Sequence, residues 1–235
     1  REVEKEIYRR GCYMLLHFAV SEEEILRLAM MWKMEGIILT GFEGKMEESV
    51  RSRCAIPVIS AKIGNAVETE LEAGELMGRY VLNYGHRSVC FMDDENAHAY
   101  WRGMKRAFQN EKAASVQVKY LQLPSDRDNR IDFYKKNLAR EAFEEKLLVF
   151  ANEYHAAEAM GYLGDMGILV PGEVSVASFG DDIFAPLMRP GLTVVKMNPL
   201  QSAVKTVEML YALMRDETVN PGKERIELVL RDSVK

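Results

Sequence analysis

The sequence predicts an α/β fold of the doubly wound kind, and three observations carry that expectation. Short runs rich in Ile, Leu and Val recur along almost the whole chain. Between them lie segments whose apolar residues return at helical spacing. Glycines stand where those helical patterns stop, as at Gly36 and Gly85. Short apolar strands alternating with amphipathic helices build parallel sheets covered by helices on both faces.

Taken in order, residues 2–10 read as a charged amphipathic helix stopped by Gly11, followed by the apolar run Tyr13-Met14-Leu15-Leu16. Ser21 and Glu24 form a capping box, which satisfies free amides at a helix start. Ile25, Leu28, Ala29 and Trp32 then give that helix one buried face. Ile37-Ile38-Leu39 reads as a short buried strand and Ile56-Pro57-Val58-Ile59 as the next. A helix is expected over about 69–83, with Leu71, Leu76 and Tyr80 inward, then a strand at Val89–Met92. Trp101, Met104 and Phe108 mark a helix, followed by a strand at 116–121 and a charged helix over about 130–144. Leu147–Phe150, Val174–Phe179, Leu192–Val195 and 226–230 complete the strands; helices over 154–165 and 202–214 lie between them.

Bulk properties exclude several classes. The chain has 235 residues, 48% hydrophobic and 29% charged, enough for one large domain or two lobes with separate cores. No apolar run approaches the roughly 20 residues a membrane span requires, and no basic-then-apolar leader is visible. A net charge of −5 is the wrong sign for gripping phosphates, so this segment is not expected to bind DNA by itself. Cys12, Cys54 and Cys90 are scattered, odd in number and set among apolar residues. That pattern suits buried thiols in a reducing, cytoplasmic compartment. The chain opens on Arg1 and on a helix, whereas doubly wound folds often place their first strand mid-sheet. Upstream sequence is therefore expected.

Catalysis has no positive signal. No G-x-S-x-G, P-loop or H-E-x-x-H occurs, and the four histidines lack ligand spacing, so neither a metal site nor a cofactor is expected. Gly161, Gly164 and Gly167 lie along or after a helix, which fits close packing or helix termination better than a nucleotide loop. Acidic pairs such as Asp93-Asp94 and Asp181-Asp182 fit caps, turns or ligand acceptors better than acid–base chemistry.

Several segments match something specific. Glu35-Gly36-Ile37-Ile38-Leu39 resembles the V-D-G-I-I strand of lactose-repressor/galactose-repressor transcription regulators, and Ile56-Pro57-Val58-Ile59 their I-P-V-V strand. Tyr84-Gly85-His86-Arg87-Ser88-Val89 resembles L-G-H-R-R-I, read here as leading into the last strand of the first lobe. Phe150-Ala151-Asn152-Glu153, with Ala156-Ala157, is similar to F-x-x-N-D-x-x-A. Val170-Pro171, Ser175-Val176 and Ser178-Phe179-Gly180-Asp181 resemble V-P-x-D-I-S-V-x-G-F-D-D. Pro190–Val195 is similar to P-P-L-T-T-V, and Leu230-Arg231-Asp232-Ser233 to V-x-R-x-S. Each motif is weak alone, but together they stand in family order over nearly the whole chain.

The resemblance implies two α/β lobes of the type I periplasmic-binding-protein kind, joined by three crossovers around a ligand cleft. On this reading the first lobe takes 1–92 plus about 197–219, and the second 93–196 plus about 220–235. It further implies a homodimer, a sugar-like effector, and operator DNA bound through an N-terminal helix-turn-helix head that this chain does not contain. A transporter's solute-binding protein shares the fold and is the rival reading; a small α/β enzyme is the third. Ligands of such sheets sit beyond the carboxyl ends of strands. The candidates are therefore Thr40, Phe42, Asn152, Glu153 and Asp181, with Asp93 and Gly180 beside them, and the resemblance adds Tyr100, three residues before Gly103. Asn152 reads equally as a helix cap or a ligand contact, and can be both. Three departures bear on the effector. Tyr100 stands where the family commonly has an arginine, Gly180 replaces the aspartate of G-F-D, and Glu153 replaces an aspartate. Losing a forked donor and a carboxylate weakens the case for a free hexose or pentose, unless Tyr100 and Asp181 take over those bonds.

Overall fold

The computed structural model describes residues 2–40, 45–60, 66–93, 98–110, 116–138, 147–180, 184–218, 222 and 224–235. Strand and helix alternate through the chain: α1 (Glu2–Arg9), α2 (Glu22–Met31), β1 (Ile37–Leu39), α3 (Lys45–Arg53), β2 (Val58–Ser60), α4 (Ala66–Asn83) and β3 (Ser88–Asp93). There follow α5 (His98–Asn110), β4 (Gln117–Gln122), α6 (Arg127–Asn137), β5 (Leu147–Phe150), α7 (Glu153–Asp165) and β6 (Ser175–Phe179). A 3-10 turn at Ala185–Leu187, β7 (Thr193–Met197), α8 (Pro199–Met214) and β8 (Ile226–Val229) complete the chain. Contacts divide it into one unit of Arg1–Ala66 with Asn198–Glu224, and a second of Val67–Met197 with Arg225–Lys235.

In the first unit β1 and β2 pair in parallel, with Ile37 beside Val58 and Leu39 beside Ser60. Ile25, Leu39, Val50 and Val58 form its small core, and Ala19 packs against them. Gly36 lets α8 approach: a Cβ there would lie 3.0 Å from Leu210 Cδ1. The capping box forms with one change. The Glu24 amide donates to Ser21 Oγ at 3.3 Å, but the Glu24 carboxylate returns to the Val20 amide at 2.9 Å and to His17 Nε2 at 3.0 Å. Trp32, expected on the buried face of α2, is exposed instead, because the helix ends at Met31 and Trp32 becomes its C-cap.

The second unit carries a six-stranded sheet in the order β4-β3-β5-β6-β7-β8. All neighbours are parallel except β8, which runs antiparallel to β7 with Val194 opposite Val229. Side chains alternate between two cores, as strand geometry requires. Val89, Phe91, Leu147 and Val149 face α4 and α5, meeting Met77, Tyr80, Val81 and Met104. Cys90, Met92, Leu148 and Phe150 face α6 and α7, meeting Tyr134, Leu138, Ala159 and Leu163.

The strand at 88–93 is a correction to the sequence reading. It is not the last strand of the first sheet; β3 bonds to β4 on one side and β5 on the other, inside the second. Helix α4 goes with it, because Gly74 and Gly103 bring α4 and α5 into backbone contact. A Cβ on Gly103 would stand 2.1 Å from the Leu71 carbonyl oxygen, and one on Gly74 would stand 2.1 Å from that of Tyr100. The contact boundary therefore falls near residue 66, where the sequence reading had set it at 92.

Candidate functional site

In the second unit the chain leaves β3 toward β4 on one side and returns to β5 on the other. Loops that depart in opposite directions open a crevice beyond the carboxyl ends of β3 and β5, where ligands of open α/β sheets bind. The residues placed there are Asp93, the last of β3, and Asn152 with Glu153, directly after β5.

Asn152 has extended backbone (φ −145°, ψ 157°), and its Oδ1 accepts the His155 amide at 3.0 Å. It is thus the N-cap of α7. Among the described residues its side-chain nitrogen makes no hydrogen bond, so it keeps two donors at the strand end. Glu153 opens the helix, where a carboxylate suits the free amides. Asp93 is wholly buried, and Tyr120 Oη donates to its Oδ2 at 3.4 Å.

Tyr100 is turned inward. Its ring lies 4.1 Å from that of Phe179 at 16°, a stacked pair, and its hydroxyl donates to Met197 Sδ at 3.7 Å. Only 8% of it is exposed. The position that the resemblance reserved for a charged arm thus fills the space over β6. Gly180 follows with φ +90°, a conformation that favours glycine, and its amide donates to the Val195 carbonyl at 2.9 Å. Thr40 lies in the first unit, exposed, immediately after β1. Phe42, Asp181 and Asp182 lie outside the described residues.

A buried charge cluster that sequence reading missed shapes the neighbouring edge. Arg130 of α6, 5% exposed, donates from Nε to Glu158 Oε2 at 2.8 Å. From Nη1 it donates to the carbonyls of Pro124 at 3.1 Å and Ser125 at 2.6 Å. Tyr134 Oη adds a donor to Glu158 at 3.2 Å. One guanidinium therefore ties the loop after β4 to α7. Burial pushes the Glu158 carboxyl up, but hydrogen bonding and charge from Arg130 outweigh it, so its pKa falls below the usual value. The Glu158 hydrogen bond raises that of Arg130, and burial, then Glu158, raises that of Tyr134. A cavity of about 330 Å³ opens on this loop, lined by Gln122, Leu123, Pro124, Ser125, Asp126 and Asn129. No sequence signal marked Arg130 or Glu158, because their partners are backbone carbonyls and a residue on another helix.

Other singled-out residues have structural roles. Gly167 ends α7 with φ +66°, whereas Gly161 and Gly164 face open space and pack against nothing. Cys90 is buried, Cys12 and Cys54 are half-buried, and none of the three forms a disulfide among the described residues. Among the described residues no group of three or more His, Cys, Asp or Glu side chains is placed to hold a metal ion, and no helix is long and apolar enough to cross a membrane.

Comparison with known proteins adds three findings. Residues 79–234 match the periplasmic binding protein-like domain. The HTH-type transcriptional regulator GalR of Escherichia coli (strain K12) is 25% identical over 248 residues, covering 91% of this chain and 66% of its own. The chain thus spans just under two thirds of that relative. Among solved structures, the transcription regulator CcpA of Lactococcus lactis superposes with a TM-score of 0.82 at 16% identity, covering 100% of this chain and 92% of its own. A periplasmic binding protein/LacI transcriptional regulator from Alkaliphilus metalliredigens, complexed with D-xylulofuranose, gives 0.80 at 16% identity, with coverages of 100% and 92%. These likenesses confirm the expected fold.

Proposed function

The chain belongs to the periplasmic binding protein-like domain family, and we propose that it is the effector-sensing, dimerising part of a LacI/GalR-type transcription regulator. The observation that carries this is the match to GalR over 91% of the chain, which includes both units. In this reading a small sugar-like molecule binds at the carboxyl ends of the strands. Asn152 supplies donors there, Glu153, Thr40, Phe42 and Asp181 are the further candidate contacts, and Tyr100 holds the aromatic wall. Operator DNA is bound by a helix-turn-helix segment outside these 235 residues, and two copies pair to present two such segments to a twofold operator. The protein works in the cytoplasm. Effector and operator are linked reciprocally, so a sugar that shifts DNA affinity has its own affinity shifted by the same factor.

The test is a thermal-shift screen against pentoses, hexoses, sugar phosphates, nucleosides and amino acids. A ligand at a hundred times its dissociation constant stabilises the folded state by about 2.7 kcal/mol. A sugar response that Asn152→Ala abolishes supports the reading. No sugar response, together with no effect of any sugar on operator binding by the longer polypeptide, refutes it.

A further inference from the structure

Arg130 makes more bonds than a buried ion pair needs. Its Nε and Nη2 donate to the Glu158 carboxylate at 2.8 and 3.5 Å, while Nη1 donates to the Pro124 carbonyl at 3.1 Å and the Ser125 carbonyl at 2.6 Å. One nitrogen that serves two successive carbonyl oxygens holds both on the same side of the chain. Both peptide bonds are trans, so each N–H points opposite to the carbonyl of its own peptide plane. The Ser125 and Asp126 amides are therefore turned away from the guanidinium. Among the described residues neither donates a hydrogen bond. Both residues line the cavity of about 330 Å³ on this loop, with Gln122 and Asn129 beside them.

That cavity opens at the same edge of the sheet as Asn152. Gln122 pairs in register with Asp93, the last residue of β3, and the Leu123 amide donates to the Asp93 carbonyl at 2.6 Å. On the other side of β3 the Ala151 amide donates to the Met92 carbonyl at 2.9 Å, one residue before Asn152. Two strand spacings, about 10 Å, thus separate the loop after β4 from Asn152, with the end of β3 between them. Arg130 joins the two sides a second time, because Glu158 lies on α7, the helix that Asn152 caps. The chemistry of the two sides matches as well. Asn152 keeps its side-chain amide donors, and the loop offers two main-chain donors beside the Asp126 carboxylate, whose Oδ2 accepts the Asn129 amide at 3.0 Å. Donors next to a carboxylate suit hydroxyl groups, which accept and donate, and repel anions.

We propose that Arg130 is a positioning residue of the effector site: it holds the loop after β4 so that the Ser125 and Asp126 amides face a neutral, polyhydroxylated ligand that Asn152 grips from the far side of β3. The proposal rests on the sensing role put forward above. Arg130 touches no ligand itself. It fixes two donors before the ligand arrives, which spares binding the cost of ordering a loose loop.

Two variants separate this role from stability. Glu158→Gln removes the counter-charge and lowers the melting temperature, yet leaves Nη1 on both carbonyls. Arg130→Met with Glu158→Leu restores much of the stability but leaves those carbonyls without their donor. Amide exchange reads the loop with no ligand present. Measured against the Ala151 amide, the Leu123 and Asn129 amides should exchange about tenfold faster or more in the double variant and at the parent's rate in Glu158→Gln. Calorimetric titration then uses the neutral pentose or hexose that stabilises the parent most in the thermal-shift screen. Its affinity should fall about tenfold in the double variant, the worth of one lost hydrogen bond, and stay close to the parent's in Glu158→Gln. Affinity that follows the melting temperature across the two variants overturns the proposal, and so do loop amides that exchange in the double variant as they do in the parent. A parent that no pentose or hexose stabilises fails the sensing reading instead, and the exchange measurement still decides whether Arg130 sets the loop.

Discussion

Glu158 is the residue whose removal should cost the second unit most for its size. Arg130 is 5% exposed and is held by that carboxylate and two carbonyl oxygens. In Glu158→Leu the guanidinium stays buried against the carbonyls of Pro124 and Ser125 with its counter-charge gone. Breaking one side of a buried pair costs about 3–5 kcal/mol, whereas replacing both partners with apolar residues of similar volume is often neutral. The pair here is not wholly sealed, since 13% of the Glu158 side chain is exposed, so a loss nearer 3 kcal/mol is expected. Arg130→Met with Glu158→Leu should recover at least half of it. Urea titration in a Trp32→Phe background measures this, because Trp101 then reports on the second unit alone. Losing less than about 1 kcal/mol in the single variant, or no recovery in the double, would refute the assignment of Glu158 as the counter-charge. The sign of the pH effect follows from the same pair. The folded pKa of Glu158 is depressed, so its contribution is complete above the unfolded value of about 4.5 and is lost as pH falls through the folded value.

Gly103→Ala places a methyl 2.1 Å from the Leu71 carbonyl oxygen, so it should destabilise by about 3 kcal/mol or more, while Gly161→Ala, facing open space inside a helix, should stabilise by about 0.5 kcal/mol; thermal unfolding ranks the two. His86 titrates below its usual value because burial disfavours its charged form. Stability should therefore fall as pH drops from about 6.5, by no more than about 1.4 kcal/mol per pH unit, and His86→Phe should flatten that slope in urea titrations at successive pH values. Asn152→Asp keeps an N-cap and should stay within about 0.5 kcal/mol of the parent, whereas Asn152→Ala should lose about 1 kcal/mol. Both should lose the sugar response, since both remove the side-chain amide donors, and calorimetric titration separates that loss from the stability change.

Among the described residues periodicity located every strand: those buried on both faces, such as β5 and β6, leave a continuous apolar run, and the edge strand β4 alternates. Helix α3 went unread for the opposite reason: Lys45–Arg53 is largely charged and polar, and Val50 anchors it in the core. The sheet that β3 joins was misassigned because a run such as Val89-Cys90-Phe91-Met92 states that it will be buried, not beside which strand. Its membership follows from Gly74 and Gly103, whose need to be glycine appears only once α4 and α5 touch. The antiparallel direction of β8 is likewise absent from its own residues. At the site, the Asn152 cap was legible because its partner is three residues away. The inward turn of Tyr100 was not, because its ring meets Phe179 and its hydroxyl meets Met197, both distant in sequence.

That inward turn bears on what the second unit can still offer a ligand. Tyr100 has committed its ring to Phe179 and its hydroxyl to a sulfur, Asp93 accepts from Tyr120, and Asn152 has given its oxygen to α7. At Asn152 the uncommitted group is a donor, the side-chain amide nitrogen. A site that keeps amide donors and lacks an arginine fork selects by acceptor oxygens placed at hydrogen-bond distance, not by charge pairing. In the proposed sensing role this favours a neutral polyol or sugar over an anionic sugar phosphate. Stacking on Phe179 also makes Tyr100 part of the wall that orients β6, so truncating it would disturb the strand end even where no ligand touches the ring. Tyr100→Phe, which keeps the stack and removes only the hydroxyl, is therefore the substitution that separates wall from contact. Ligand affinity that survives it assigns Tyr100 to the wall.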